Sequence, residues 1–278
     1  MRLPLALLIL ATGTVCAQPT TVSRTLVDVP WCEEADAAVH RWRTSRGVAC
    51  EVREFVIQTD ELDVAGLVNG GVTVKEWGRD DVLVRARVVG TARTASEAAR
   101  LVHATRVNAS GGRVRAETPS SRNNATAWVD FEIFAPRSTD LSADVVNGPL
   151  TISGLSSEIS AEATNGPVTL ENVGGDVSVK AMNGPVTVSL DGDRWRGSGL
   201  HVETANGPIT LVVSDDFSAR VEVETRNGHV HCDDLGLSKA DRQRGRRTGD
   251  SLAGTIGNGG PPLRFETANG PVFLRTRG

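Results

Sequence analysis

"NGPVTL" occupies Asn165–Leu170, and near copies begin at Asn147 ("NGPLTI"), Asn183 ("NGPVTV"), Asn206 ("NGPITL") and Asn269 ("NGPVFL"). Asn-Gly between two apolar runs ordinarily marks a two-residue hairpin. The proline argues against that turn. Closing it takes an N–H from the residue after Asn-Gly, and Pro149, Pro167, Pro185, Pro208 and Pro271 have none. The motif therefore reads as a corner between two sides of a coil, with proline opening the next strand where a missing donor is tolerated. Asn and Gly are expected to take left-handed backbone angles there. The predicted corners are Asn147 and Gly148, Asn165 and Gly166, Asn183 and Gly184, Asn206 and Gly207, Asn227 and Gly228, and Asn269 and Gly270.

The steps between these Asn residues are 18, 18, 23, 21 and 42, so the last gap holds a degenerate coil or a long excursion. Self-similarity at such a period is the signature of a solenoid. Three and five places after each Asn stand Leu150/Ile152, Val168/Leu170, Val186/Val188, Ile209/Leu211, Val230/Cys232 and Val272/Leu274. Six and four places before it stand Leu141/Ala143, Ile159/Ala161, Val177/Val179, Leu200/Val202, Val221/Val223 and Leu263/Phe265. Period two on both sides of the corner predicts two short strands per coil, with these columns facing the core. Leu155, Val173 and Leu235, joined by Trp195 and Phe217 in the longer coils, are expected to fill the bend where each coil closes. Successive coils would then stack through parallel strands. The predicted class is a mainly β, parallel β-solenoid, and a twisted antiparallel sandwich is the alternative.

The chain opens "MRLPLALLILATGTVCAQ", with one Arg, an apolar run from Leu3 to Leu10, and small residues Val15 and Ala17 before Gln18. This pattern predicts a signal peptide over 1–17, too short to stay as a membrane span. Gly13, Thr14 and Val15 ahead of Cys16 lack a lipoprotein pattern, so release is expected rather than lipid anchoring. A net charge of −4 with both signs mixed gives no basis for a nucleic-acid partner. Export also pairs Cys32 with Cys50 as the expected disulfide, which would constrain the unfolded chain by roughly 3 kcal/mol.

Residues 18–140 are read as a disulfide-tied cap with lead-in strands and one helix, and 141–278 as the solenoid. Asn69-Gly70 followed by Val72 and Val74 suggests an early coil. "TASEAARLVHATRV" predicts a helix with Thr94 and Glu97 as a capping box and Ala98, Leu101, Val102 and Thr105 on one face. With the strands read in "DDVLVRARVVG" before it and "ATAWVDFEIFAP" after it, this β-α-β stretch is expected to cap the N-terminal end of the solenoid and cover its exposed strand edge. At the other end Arg275 and Arg277 would keep the last strand from edge-to-edge pairing. The signal peptide, the Cys pair ending in "CEVREF", the helix-bearing lead-in and the "NGPVT" array together resemble the bacterial putative adhesin family of β-strand-repeat proteins. The plan is similar to the head domain of putative auto-transporter adhesins. The resemblance implies a surface module of largely undefined biochemical role.

Candidate chemistry lies in the outward columns. Thr73, Thr151, Thr169, Thr187 and Thr210, continued by His231 and Phe273, form a ladder four places after Asn. Such a face could contact ice or glycan, although Thr also simply suits an exposed strand. Asp144, Glu162, Lys180, Glu203, Glu224 and Glu266 stand three places before Asn. Stacking would set them about 5 Å apart, where Lys180, calcium or a sugar could compensate the repulsion. Acid pairs at Asp191/Asp193, Asp215/Asp216 and Asp233/Asp234 raise the alternative of a polysaccharide lyase or hydrolase. In "HVHC", His229 and His231 share one face while Cys232 turns inward, so the three do not converge on one metal ion. "SKADRQRGRRTGDS" over 238–251 is a basic loop open to an anionic polymer. The expectation is an exported, monomeric, non-catalytic binding or scaffold module, periplasmic, secreted or on the cell surface. Its partner would be a polysaccharide or an envelope protein, and a structural or envelope-sensing role is the third reading.

Overall fold

The computed structural model describes residues 22–26, 30–34, 47–67, 69–121, 124–233, 235–244 and 249–277. The expected signal peptide lies outside them. The lead-in contributes β1 (Val22–Leu26), β2 (Gly47–Ile57), β3 (Glu61–Leu67), β4 (Val72–Glu76), β5 (Val82–Ala92), β6 (Arg106–Ser110), β7 (Arg113–Glu117) and β8 (Thr126–Ala135). A helix, Ala95–Ala104, follows β5. The repeats contribute a strand on each side of every corner. These are β9 (Asp140–Asn147) and β10 (Leu150–Ser153), β11 (Ser156–Asn165) and β12 (Val168–Glu171), β13 (Gly174–Asn183) and β14 (Val186–Leu190), β15 (Gly199–Asn206) and β16 (Ile209–Val213), and β17 (Ala219–Asn227) and β18 (Val230–Asp233). After them come β19 (Ser238–Arg244), β20 (Asp250–Ile256), β21 (Pro262–Asn269) and β22 (Val272–Thr276).

Each coil places one strand in each of two 11-stranded sheets. The first sheet runs β1-β2-β5-β8-β4-β10-β12-β14-β16-β22-β18, and the second runs β19-β20-β17-β21-β15-β13-β11-β9-β3-β7-β6. From β4 to β18 and from β17 to β7 the pairing is parallel, with equivalent residues of successive coils side by side, as Leu150, Val168, Val186 and Ile209 are. One core runs the length of the stack between the sheets, and the predicted inward columns lie in it. Leu155, Val173, Trp195, Phe217 and Leu235 are buried at the closing bends. A further inward column stands two places before Asn, where Val145, Ala163, Ala181, Thr204, Thr225 and Thr267 are buried beside the corner. The Thr225 hydroxyl donates to the Gly270 carbonyl at 3.1 Å, which lets a polar side chain sit in this narrow end of the core.

Two expectations are corrected. Space does not follow chain order: the coil of β21 and β22 lies between those of β15/β16 and β17/β18. Its last strand is therefore interior, and Arg275 and Arg277 guard no edge. The antiparallel pair β19 and β20 fills the excursion and closes the second sheet against β17. Nor do the repeat Asn residues adopt positive φ; among the described non-glycine residues only Asn124 and Asn172 do, and Asn172 sits at a closing bend. At the corners only glycine takes that conformation, with φ of 146° at Gly184 and 150° at Gly148, and Gly228 of the end coil is not among those that do. The β-α-β stretch meets the first coil through β8, which pairs with β4 and carries β5 on its other side, while the helix lies on β2 and β5; β7 lines the edge in the second sheet.

The lead-in is otherwise as expected. Asn69 belongs to a first coil, because β3 pairs with β9 and β4 with β10. Thr94 caps the helix by accepting the Glu97 N–H, and Ala98 and Val102 are buried beneath it. The disulfide Cys32–Cys50 ties a helical turn at 30–34 to β2, with Cα atoms 5.6 Å apart. Arg85 and Arg87 of β5 lie over the Trp31 ring of the same turn, at 5.3 and 4.7 Å.

Candidate functional site

The outer face of the second sheet carries the acidic row. Register fixes its order as Asp144, Glu162, Lys180, Glu203, Glu266, Glu224. Lys180 stands between Glu162 and Glu203, whereas inserting the last coil sets Glu266 between Glu203 and Glu224. Three exposed carboxylates thus follow one another at the interstrand spacing of about 4.8 Å, with no cation in the row between them. A shallow depression of about 280 Å³ lies along this stretch, with Arg226 on its rim. Beside it Arg264 is engaged by Glu222 at 2.8 Å. Among the described residues no three His, Cys, Asp or Glu side chains are grouped to enclose a metal ion.

The outer face of the first sheet carries the threonine row. Thr73, Thr151, Thr169, Thr187 and Thr210 are half-buried neighbours, then Phe273 and His231 end the row. The last two rings stack, with centroids 5.0 Å apart and planes at 16°. The row is flat and single, flanked by the corner prolines.

The corner asparagines bind one another. Asn165 donates to Asn147, Asn183 to Asn165, Asn206 to Asn183 and Asn269 to Asn206, each at 3.0 Å, and Asn227 donates to Asn269 at 2.9 Å. An amide can donate and accept at once, which lets the ladder pass from coil to coil. Beside it each corner glycine of the inner coils donates its N–H to the next coil's Asn carbonyl, as Gly166 does to Asn183. A Cβ at Gly184 would lie 2.2 Å from the Gly166 carbonyl oxygen. The corners are therefore structural, and their side chains are engaged in stacking the coils.

The acid pairs gather at the closing bends of the long coils. Asp193, Asp215 and Asp216 line one depression with Arg277. Arg277 also binds Asp191 and, at 3.0 Å, the Ser189 hydroxyl. Arg194, 2.6 Å away, holds the Asp193 carboxyl below the usual carboxylate range through a hydrogen bond. Two of the three pairs thus meet, and the side chains of Asp233 and Asp234 lie outside the described residues, as do those of the basic stretch 238–248. A neighbouring groove of about 540 Å³ is lined by Glu76, Glu171 and Asp191 together with Arg137, Arg194 and Arg196.

The "HVHC" stretch is the end of the ladder. Cys232 packs against the core, and His231 faces outward. In every inner coil the N–H three places after Asn donates to the next coil's backbone, as Leu150 does to Pro167 and Val272 to His229. Val230 has no next coil; its N–H goes instead to Asp250 Oδ2 at 3.2 Å. Asp250 is buried and comes from β20, so a side chain replaces the missing carbonyl. Sequence reasoning missed this residue because nothing in the repeat marks it.

These features define a class: a two-sheet β-solenoid with a parallel core, whose flat outer faces carry rows of like residues. The chain belongs to the Toastrack DUF4097 family, whose model matches residues 97–275. Among solved structures, a putative cell adhesion protein from Clostridium sporogenes aligns over 78% of this chain and 90% of its own, at 10% identity and a TM-score of 0.39. A putative adhesin from Bacteroides fragilis aligns over 82% and 97%, at 11% identity and a TM-score of 0.31. No curated protein matches the chain.

Proposed function

We propose that this protein is an exported, non-catalytic binding module of the adhesin kind, engaging a hydroxyl-rich polymer along the acidic row. The observation that carries the reading is the unbroken carboxylate run Glu203, Glu266, Glu224, with Arg226 on its rim. Three like charges at this spacing repel, and a fold that keeps them gains most from a ligand that supplies donors or a bridging cation. The threonine row offers a second flat face on the opposite sheet. A disulfide is consistent with an oxidising compartment outside the cytoplasm.

The test is a cell-envelope glycan array probed with the mature chain, with calcium and with chelator. Selective binding is expected, and the triple substitution Glu203→Gln, Glu266→Gln, Glu224→Gln should abolish it while leaving the thermal midpoint unchanged or higher. A blank array would overturn the glycan reading in favour of a protein partner. The meeting of Asp191, Asp193, Asp215 and Asp216 around Arg277 favours one other reading, a polysaccharide-cleaving centre. Turnover of any array glycan, lost on Asp193→Asn, would establish it.

A further inference from the structure

The end coil departs from the repeat in both outward columns at once. Where the coils cornered at Asn147, Asn165, Asn183, Asn206 and Asn269 place proline two residues after Asn it has His229, and where they place threonine or Phe273 it has His231. The substitutions leave two imidazoles on one exposed corner, with ring centroids 6.5 Å apart and planes at 83°. Each ring has a support behind it. The buried Asp250 carboxylate, 5% exposed, lies 3.5 Å from His229 Nδ1, while the His229 side chain is 78% exposed. His231 is stacked on Phe273 of the neighbouring coil. A carboxylate on the Nδ1 side of the ring leaves the other nitrogen to face outward, and a carboxylate in that place commonly backs metal-bound histidine.

We propose that His229 and His231 form a two-imidazole site for a late divalent transition-metal ion, Cu(II) or Zn(II). Imidazole suits these ions, whereas calcium and magnesium want oxygen donors. Metal–nitrogen bonds of about 2.0–2.1 Å bring two imidazole centroids on a tetrahedral ion to about 5 Å. Closing the present separation takes a side-chain rotation of His229, which its exposure allows. The remaining positions are open to solvent or to donors of a partner, so the site is distinct from the acidic row in ion and in place.

The repeat itself supplies fold-preserving variants. His229→Pro and His231→Thr restore the residues that the other coils carry at these positions. Isothermal titration of the full mature chain with Cu(II) and with Zn(II) should show one equivalent bound, and each substitution should weaken it at least tenfold, with the thermal midpoint retained. His201→Ala serves as a control and should bind as the parent does. Cu(II) should also broaden the proton resonances of His229, His231 and Phe273 before any others. Equal affinity in either variant would overturn the proposal, and so would broadening confined to His103, His201 or the N-terminus.

Discussion

The corner glycines and asparagines work as stacked pairs. Glycine is required twice over at an inner corner, once by its positive φ and once by the carbonyl of the preceding coil. Gly184→Ala is expected to cost more than about 2 kcal/mol, because both the backbone angle and the coil spacing must give. Urea denaturation measures it. Asn serves a different purpose from the one its turn preference suggests. Its amide passes a hydrogen bond from coil to coil, and its own backbone remains outside the left-handed region. Where an asparagine does adopt that region, at Asn172, its side chain joins Asp191 in a two-bond contact across the bend. Turn chemistry in the sequence expects left-handed angles at both residues of the pair, and in the inner coils glycine alone takes them.

Strands show how the stack is finished. A parallel array leaves a row of unpaired donors and acceptors at each end. The N-terminal ends are closed by antiparallel strands, β5 against β8 and β6 against β7. At the C-terminal end β20 lies antiparallel on β17 and sends Asp250 to the first N–H of β18. Asp250→Ala would leave that buried donor without its acceptor. A loss of about 1–3 kcal/mol is expected, with faster amide exchange concentrated in β18. A uniform rise in exchange across all coils would contradict it.

The inserted coil organises the whole molecule. Among the described strands, β17 and β18 join the array only through β21 and β22, so the last coil in sequence ties the penultimate one to the rest. Consecutive elements are usually neighbours in space, and here the usual order is broken. Phe265 of β21 is fully buried. Phe265→Ala is expected to cost about 3–5 kcal/mol, and hydrogen exchange should show β17, β18 and β20 opening together while β9 to β14 stay protected. Protection lost evenly throughout would mean that the array unfolds as one unit. The insertion also reorders the acidic run, carrying Glu266 between two carboxylates that the sequence places as successive neighbours.

The sequence by itself determined the coil: the alternation of apolar residues, the glycine at each corner and the proline that forbids a hairpin are local constraints, and each acts within a few residues. It also made the helix, the disulfide and the first coil legible, because caps, cysteine spacing and the Asn-Gly echo are local signals too. Tertiary structure alone decided the order of the last coils, the asparagine ladder, the Asp250 terminus and the company each outward residue keeps. Near-identical coils offer near-identical edges, so the pattern cannot say which coil stacks on which. That choice is made by where the excursion through β19 and β20 returns the chain, and with it which charges and rings meet on the surface.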